Sequence, residues 1–204
     1  DARKAGFDNI SVDLMYGLPS QTKSDWAETL SKIVEMHPEH ISCYGLKLEP
    51  GTRMYKEYYG SSILPDDDAQ ADMYSYAAEM LERYGYKQYE ISNFAAPGYE
   101  SRHNLKYWNM DDYMSFGPGA HSCIGNVRYS FVKDLKQYIY GVHKKISIVD
   151  EYEQIDPLER AVEYVMLGMR TSRGISEHDY RLRCQCDWKP ILKVLQAFKE
   201  KGWV

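Results

Sequence analysis

NISVDLMYGLP, at residues 9–19, is the most informative segment for the fold class of this chain. Asn9–Tyr16 is mostly apolar and is closed by Gly17-Leu18-Pro19, which predicts a strand buried on both faces of a parallel sheet. A helix follows, because apolar residues recur at helical spacing until His37-Pro38 stops the pattern. Its predicted inward residues are Trp26, Leu30, Ile33 and Val34.

Strand and helix alternate twice more beyond this unit. Ile41–Leu48 predicts a second strand, a helix runs from Pro65-Asp66 to Gly85, and Tyr86–Ile91 predicts a third strand. This alternation indicates an α/β fold whose strands are parallel and joined by right-handed crossovers. Ligands are then expected at the carboxyl ends of the strands. Three units are too few for an eight-unit barrel of about 250 residues, so we expect part of the sheet to be missing.

Ser101–Ser122, SRHNLKYWNMDDYMSFGPGAHS, reads as a functional site. A histidine beside an amide and two large aromatic rings can ligate a metal, polarise a carbonyl or stack on a planar ligand. Gly117 and Gly119 would let the backbone approach that ligand closely. A purely structural turn explains the glycines almost as well.

Composition and charge restrict the classes of function. The 204 residues are 44% hydrophobic, which is enough for a core in one large or two small domains. The net charge is −5 and the basic residues are scattered, so neither nucleic acid nor an anionic membrane is an expected partner. No apolar run reaches transmembrane length and the N-terminal residues lack a signal-peptide core, which predicts a cytoplasmic protein.

Four motifs, in this order, resemble one known family. They are VDLMYGLPSQT at 12–22, ISCYGLKLEPGT at 41–52, YEISNFA at 89–95 and HNLKYW at 103–108. The family is the oxygen-independent coproporphyrinogen III oxidase group of radical S-adenosylmethionine (SAM) proteins. HNLKYW together with GPGAHS is most similar to its haem-chaperone (HemW-type) branch. The resemblance is strong to about residue 130 and loose beyond it.

The resemblance implies a fold and a set of cofactors. Residues 1–149 would be the C-terminal part of a partial (β/α)₆ radical-SAM barrel, and 150–204 a small α-helical, winged-helix-like domain. The family binds SAM at a [4Fe–4S] cluster and reduces it to a 5′-deoxyadenosyl radical, and the protein positions these cofactors.

The resemblance also implies three SAM contacts. Asp13, at the end of a barrel strand, would accept hydrogen bonds from the ribose hydroxyls or the amino group; otherwise it is a polar residue solvated at the barrel mouth. Lys47 matches another such position, where the contact would be through the main chain. His121 lies where the last barrel turn of the family touches SAM, also through backbone.

Haem is the expected ligand of the HNLKYW motif. An imidazole binds haem iron, so His103 is the candidate ligand, while Tyr107 and Trp108 would pack on the porphyrin and Asn104 would orient the ring. The alternative is a loop histidine satisfied by ordinary hydrogen bonds.

The cysteines of the chain do not reproduce the Cys-x-x-x-Cys-x-x-Cys cluster motif of the family. Cys43, Cys123, Cys184 and Cys186 are predicted to be reduced thiols, Cys184 and Cys186 included. Because Arg3, Lys4 and Gly6 resemble a helix end, we expect a fragment that begins within a helix. Its cluster ligands would lie upstream, and alone it should be inactive.

The sequence therefore leaves three hypotheses for the function. The leading hypothesis is a haem-binding chaperone that passes haem to an acceptor protein. The alternative within the family is a coproporphyrinogen III oxidase, which converts two propionates to vinyls with loss of CO₂. The third is a nucleic-acid-binding module in the helical tail, whose mixed acidic and basic residues make it poorly suited to phosphate. The oligomeric state is left open.

Overall fold

In the computed structural model, which describes residues 1–202, the chain forms two compact units, Asp1–Ser101 and a second that begins at Arg102. The boundary predicted at residue 149 falls within the second unit, where a strand begins. No helix among the described residues combines the length and apolar character needed to cross a bilayer.

The first unit is a four-stranded sheet with helices. Its elements are β1 (Ser11–Tyr16), α1 (Lys23–Val34), β2 (His40–Gly45), α2 (Arg53–Tyr58), α3 (Asp67–Arg83), β3 (Lys87–Gln88) and β4 (Asn93–Ala95). The strand order is β1-β2-β4-β3, and β1 and β2 are parallel, as predicted.

The third predicted strand, Tyr86–Ile91, is wrong in detail. Only Lys87–Gln88 is strand, and the chain then turns back so that β4 lies between β2 and β3, antiparallel to both. The bend is held by backbone hydrogen bonds from Tyr89 to Asn93 (3.1 Å) and from Cys43 to Ser92 (2.7 Å). A tight hairpin therefore replaces the third parallel crossover.

The core of this unit lies between α1, α3 and one face of the sheet. On α1, Trp26, Leu30 and Val34 are buried, as predicted, and the helix begins with a capping box between Thr22 and Asp25. On α3 the buried side chains are Met73, Ala77, Met80 and Leu81.

β1 is not buried on both faces, as the sequence predicts. Leu14 and Tyr16 pack against the core, whereas Ser11, Asp13 and Met15 are exposed. β1 lies at the edge of the sheet, and only one of its faces meets the helices. The opposite face carries Ser11 and Asp13 beside Met15, and it forms part of the candidate site.

The second unit combines an antiparallel sheet with helices. Its elements are α4 (Arg102–Trp108), β5 (His121–Ile124), β6 (Val127–Phe131), α5 (Leu135–Lys144), β7 (Val149–Gln154), α6 (Pro157–Gly168), α7 (Glu177–Cys184) and α8 (Lys189–Glu200). The sheet order is β5-β6-β7, and no strand of this sheet was predicted.

The helices α6, α7 and α8 form in the region for which a helical domain is expected. The amphipathic pattern of α6 predicts that Leu158, Val162, Val165, Met166 and Met169 face inward. Val165 does pack against the core, but the other four are exposed, while Ala161 is buried. Ala161 packs with Tyr180, Cys184 and Trp188 of the following helical segments, so the small side chain sets the contact face.

Candidate functional site

Three polar side chains lie in register across the first sheet. Asp13 pairs with Ser42 of β2, and Ser42 pairs with Asn93 of β4. Residues paired across neighbouring strands point to the same face, about 5 Å apart per strand. Ser42 and Asn93 are buried, whereas Asp13 is exposed. The row therefore runs from an accessible carboxylate to a buried amide, on the face away from the helical core.

Glu90 enlarges the polar row at its buried end. Its carboxylate accepts hydrogen bonds from the Asn93 side chain and from the Ser92 backbone at 3.2 Å. Glu90 is only 3% exposed, and neither it nor Asp13 forms an ion pair within residues 1–202. The Asn93 side-chain oxygen is buried without a hydrogen-bond donor in the same part of the chain. This end of the row is rich in acceptors.

His40 lies beside the row and is held at both ring nitrogens. Nδ1 is 2.9 Å from the Ser11 hydroxyl and Nε2 is 2.8 Å from the Tyr89 hydroxyl. Burial lowers the pKa of His40, and the negative charge of Asp13 opposes this in part. The neutral imidazole is therefore a structural link between β1, β2 and the β3–β4 hairpin.

Lys47, the second residue predicted to contact SAM, lies in the turn that follows β2, and a similar turn follows β1. Gly17 follows β1 with φ of 77°, and a Cβ there would lie 2.8 Å from Gln70 Oε1. Lys47 lies two residues beyond β2, and its exposed ammonium contacts Glu49 at 2.8 Å. That hydrogen bond raises the pKa of Lys47. The contacts of Asp13 and Lys47 with SAM remain predictions.

In the second unit, His103 and Tyr107 lie one turn apart on α4. The Tyr107 hydroxyl is 3.2 Å from His103 Nε2, and the two rings meet edge to face at 5.1 Å. Tyr107 in turn packs on Tyr113, with 4.7 Å between ring centroids. His103 is exposed, and Tyr107 is 39% exposed. The imidazole is thus accessible and backed by an aromatic pair.

Asn104 and Trp108 occupy a different face of the same helix. Successive helical residues are about 100° apart, so Tyr107 and Trp108 diverge while Asn104 and Trp108 align. Trp108 lines a cavity of about 80 Å³ inside the second unit. α4 therefore presents an exposed His–Tyr face and a Trp face that lines a cavity, a division that the motif alone does not show.

The glycine-rich turn leads into β5 and carries the remaining predicted residue. Gly117, with φ of 113°, donates its N–H to the Tyr138 hydroxyl at 3.1 Å, and Gly119 donates to Val132 at 3.1 Å. These bonds fix the turn to its own unit and favour the structural explanation of the glycines. His121 opens β5 and is exposed. Its contact with SAM remains a prediction.

The structure thus groups the predicted residues by unit: Asp13 and Lys47 in the first, and His103, Asn104, Tyr107, Trp108 and His121 in the second. Sequence reasoning missed Ser42, Glu90 and Asn93. Glu90 and Asn93 stand in the quoted motif YEISNFA, but only the strand register and the Asn93–Glu90 hydrogen bond reveal that they join the row of Asp13.

The cysteines are free thiols, and three of them are buried. Burial raises the pKa of Cys43 to about 12 and also raises the pKa of Cys184. The thiols of Cys184 and Cys186 donate to carbonyl oxygens of α6 at 3.7 and 3.5 Å. Within residues 1–202, no three His, Cys, Asp or Glu side chains gather as metal ligands do. These residues do not fit an iron–sulfur cluster.

Curated relatives match the chain along nearly all of its length. It is 39% identical over 205 residues to heme chaperone HemW of Bacillus subtilis (strain 168), covering 100% of the chain and 54% of the relative. It is 34% identical to heme chaperone HemW of Synechocystis sp., covering 98% and 50%. It is 31% identical to radical S-adenosyl methionine domain-containing protein 1, mitochondrial, of Danio rerio, covering 97% and 46%.

A solved structure matches the fold as well. The coproporphyrinogen III oxidase HemN of Escherichia coli, described as a radical SAM enzyme, superposes with a TM-score of 0.79 at 21% identity. The match covers 98% of the chain and 50% of that structure. No protein-family model matches. The chain spans about half the length of the relatives it matches, and it belongs to the radical SAM family that includes heme chaperone HemW and the oxidase HemN.

Proposed function

We propose that the protein containing this chain is a haem chaperone, which binds haem through His103 and passes it to an acceptor protein. The observation that carries the proposal is the accessible imidazole of His103 on α4, in a chain 39% identical to a heme chaperone. Neutral imidazole is a common axial ligand of haem iron.

The neighbours of His103 suit this role. The Tyr107 hydroxyl is the hydrogen-bond partner of Nε2, and an exposed neutral hydrogen bond of this kind contributes only about 1 kcal/mol. Iron can therefore displace it, or bind Nδ1 while Tyr107 keeps the ring oriented. The Tyr107–Tyr113 pair offers an apolar surface beside the iron. Burial raises the pKa of Tyr113, which keeps its hydroxyl protonated at neutral pH.

The SAM site belongs to the same proposal. Asp13 is the exposed end of an acceptor row on the sheet face away from the core, which suits it to accept hydrogen bonds from ribose hydroxyls or an ammonium. Lys47 and His121 would contribute main-chain contacts. SAM bound to a [4Fe–4S] cluster supplies radical chemistry in this family. Because the described residues do not fit a cluster, we place its ligands outside this chain.

The test is a haem titration of the full-length protein, followed by absorbance. We expect His103→Ala to weaken haem binding by at least about tenfold and to change the Soret band, because the axial ligand is lost. His143→Ala, which removes an exposed histidine of α5, serves as the matched control and should leave binding unchanged. Unchanged affinity and spectrum for His103→Ala would refute haem ligation by this residue.

The oxidase is the second candidate, since the matched solved structure is a coproporphyrinogen III oxidase. Incubation of the full-length protein with SAM, a reductant and coproporphyrinogen separates the two functions. A chaperone leaves the propionates intact. Formation of vinyl groups with release of CO₂ would replace the chaperone proposal by the oxidase.

A further inference from the structure

The exposed side of α4 carries more than the His–Tyr pair. Four of its seven residues are exposed, namely Arg102, His103, Lys106 and Tyr107, and the other three are half-buried. Successive helical residues lie about 100° apart around the axis, so the exposed four fall within one arc of about 140°. Around this arc the order is Arg102, Lys106, His103 and Tyr107. The imidazole therefore stands between a cationic side and an aromatic side.

The cationic side, Arg102 and Lys106, has no acidic partner. Neither residue forms an ion pair in the part of the chain that the structure describes. The two carboxylates that follow the helix are engaged elsewhere. Asp111 contacts Arg183 at 3.4 Å, and Asp112 accepts a backbone N–H at 2.7 Å. Both cations are therefore available to a ligand.

The stability of α4 does not explain this pair of cations. Arg102 is the first residue of the helix, where the helix dipole disfavours a positive charge, and Lys106 follows four residues later. Like charges at this spacing repel one another and weaken a helix. Glu100, which precedes the helix, forms no ion pair among residues 1–202 either. An anionic ligand would relieve the repulsion between the two cations.

We propose that the exposed arc of α4 orients the haem, because Arg102 and Lys106 bind its two propionates. The inference rests on the proposed function, in which His103 holds the iron. Lys106 stands about 60° to one side of His103, and Tyr107 stands about 40° to the other. Haem carries both propionates on one edge of an otherwise largely apolar ring. That edge would lie on the cationic side, while the apolar part would lie over the Tyr107–Tyr113 pair. Two carboxylates also match two cations in charge.

The test compares haem with haem dimethyl ester, which lacks both propionate charges, in titrations of the full-length protein. Arg102→Gln and Lys106→Gln should each weaken haem binding by about two- to fivefold, as expected for an exposed ion pair, and together by about tenfold. Neither substitution should alter binding of the ester. Because salt screens exposed charges, added salt should weaken haem binding by the wild type more than by the double variant.

Two further variants separate the effect of charge from an effect on folding. Arg102→Lys combined with Lys106→Arg exchanges the side chains and keeps both charges, so it should bind haem as tightly as the wild type. Lys136→Gln is the matched control, because Lys136 is an exposed residue of α5 outside the ion pairs of the described residues. It should leave haem binding unchanged.

The outcomes distinguish this inference from haem ligation by His103. Wild-type affinity of the double variant for haem, with His103→Ala still impaired, would overturn the orientation and leave the chaperone proposal intact. An equal loss of affinity for haem and for its ester would also overturn the orientation, because the cations would then not act on carboxylates. If the wild type binds no haem, the proposed function fails and this inference fails with it.

Discussion

The pH dependence of the first unit should be dominated near pH 6 by one buried side chain, His40. It is 5% exposed, and its ring nitrogens lie 2.9 and 2.8 Å from the Ser11 and Tyr89 hydroxyls. Burial places its pKa in the folded protein below the value of about 6.5 in the unfolded chain. The unfolded chain therefore takes up the proton first as the pH falls. The free energy of unfolding is highest above about pH 6.5 and declines towards the folded-state pKa.

The size of this loss follows from a single proton. If His40 stays neutral in the folded protein, the free energy of unfolding falls by about 1.4 kcal/mol between pH 7.5 and pH 5.5. The Asp13 charge favours the protonated imidazole, so Asp13→Asn should lower the folded-state pKa further and extend the decline to lower pH.

The assay is urea unfolding at several pH values, followed through the indole signal of Trp26, which is buried in the first unit. His40→Gln should flatten the slope between pH 7.5 and 5.5, whatever its effect on absolute stability. His37→Asn, at an exposed position with φ of 49°, is the matched control and should keep the wild-type slope. A His40→Gln variant with the wild-type slope would refute the reasoning.

Two other predictions concern packing and thiol reactivity. Gly168→Ala would place a Cβ 2.4 Å from Ile175 Cγ2, so we expect the free energy of unfolding to fall by about 1–2 kcal/mol, net of the gain in helix propensity, as measured by thermal unfolding. The control Val162→Ala, on the exposed side of α6, should change this free energy by less than about 0.5 kcal/mol. A Gly168→Ala variant as stable as the wild type would contradict the prediction. Cys43 is buried and its pKa is raised to about 12, so it should resist alkylation at pH 8 in the folded protein, whereas the partly exposed Cys186 should react. Mass spectrometry measures the two alkylation rates. Equal rates for the two thiols would be evidence against the buried position of Cys43.

Much of the first unit follows from local sequence signals. The 3.6-residue spacing of Trp26, Leu30 and Val34 predicts both α1 and its buried face, and the apolar run before Gly17 predicts β1 beside a parallel β2. Helical periodicity and capping depend on neighbours three or four residues away, so a sequence displays them directly. The order of the four quoted motifs likewise indicates the family that the relatives confirm.

Prediction from the sequence fails where an element depends on contacts with segments that are distant in the chain. Tyr86–Ile91 has strand character, but its pairing as a hairpin with β4 beside β2 depends on contacts across some fifty residues. The inward face of α6 is set by Ala161 because Tyr180 and Trp188 fill the space against it, which hydrophobicity alone does not predict.

The sequence indicates α1, α3, the parallel pair β1 and β2, the haem-binding candidate His103 and the family, but not the helix α4 on which His103 lies. Tertiary structure alone decides the acceptor row from Asp13 to Asn93 and the meeting of Arg173 and Arg183 at Asn109. Strand register and long-range side-chain contacts arise only when distant segments pack, because no interaction between near neighbours in the chain specifies them.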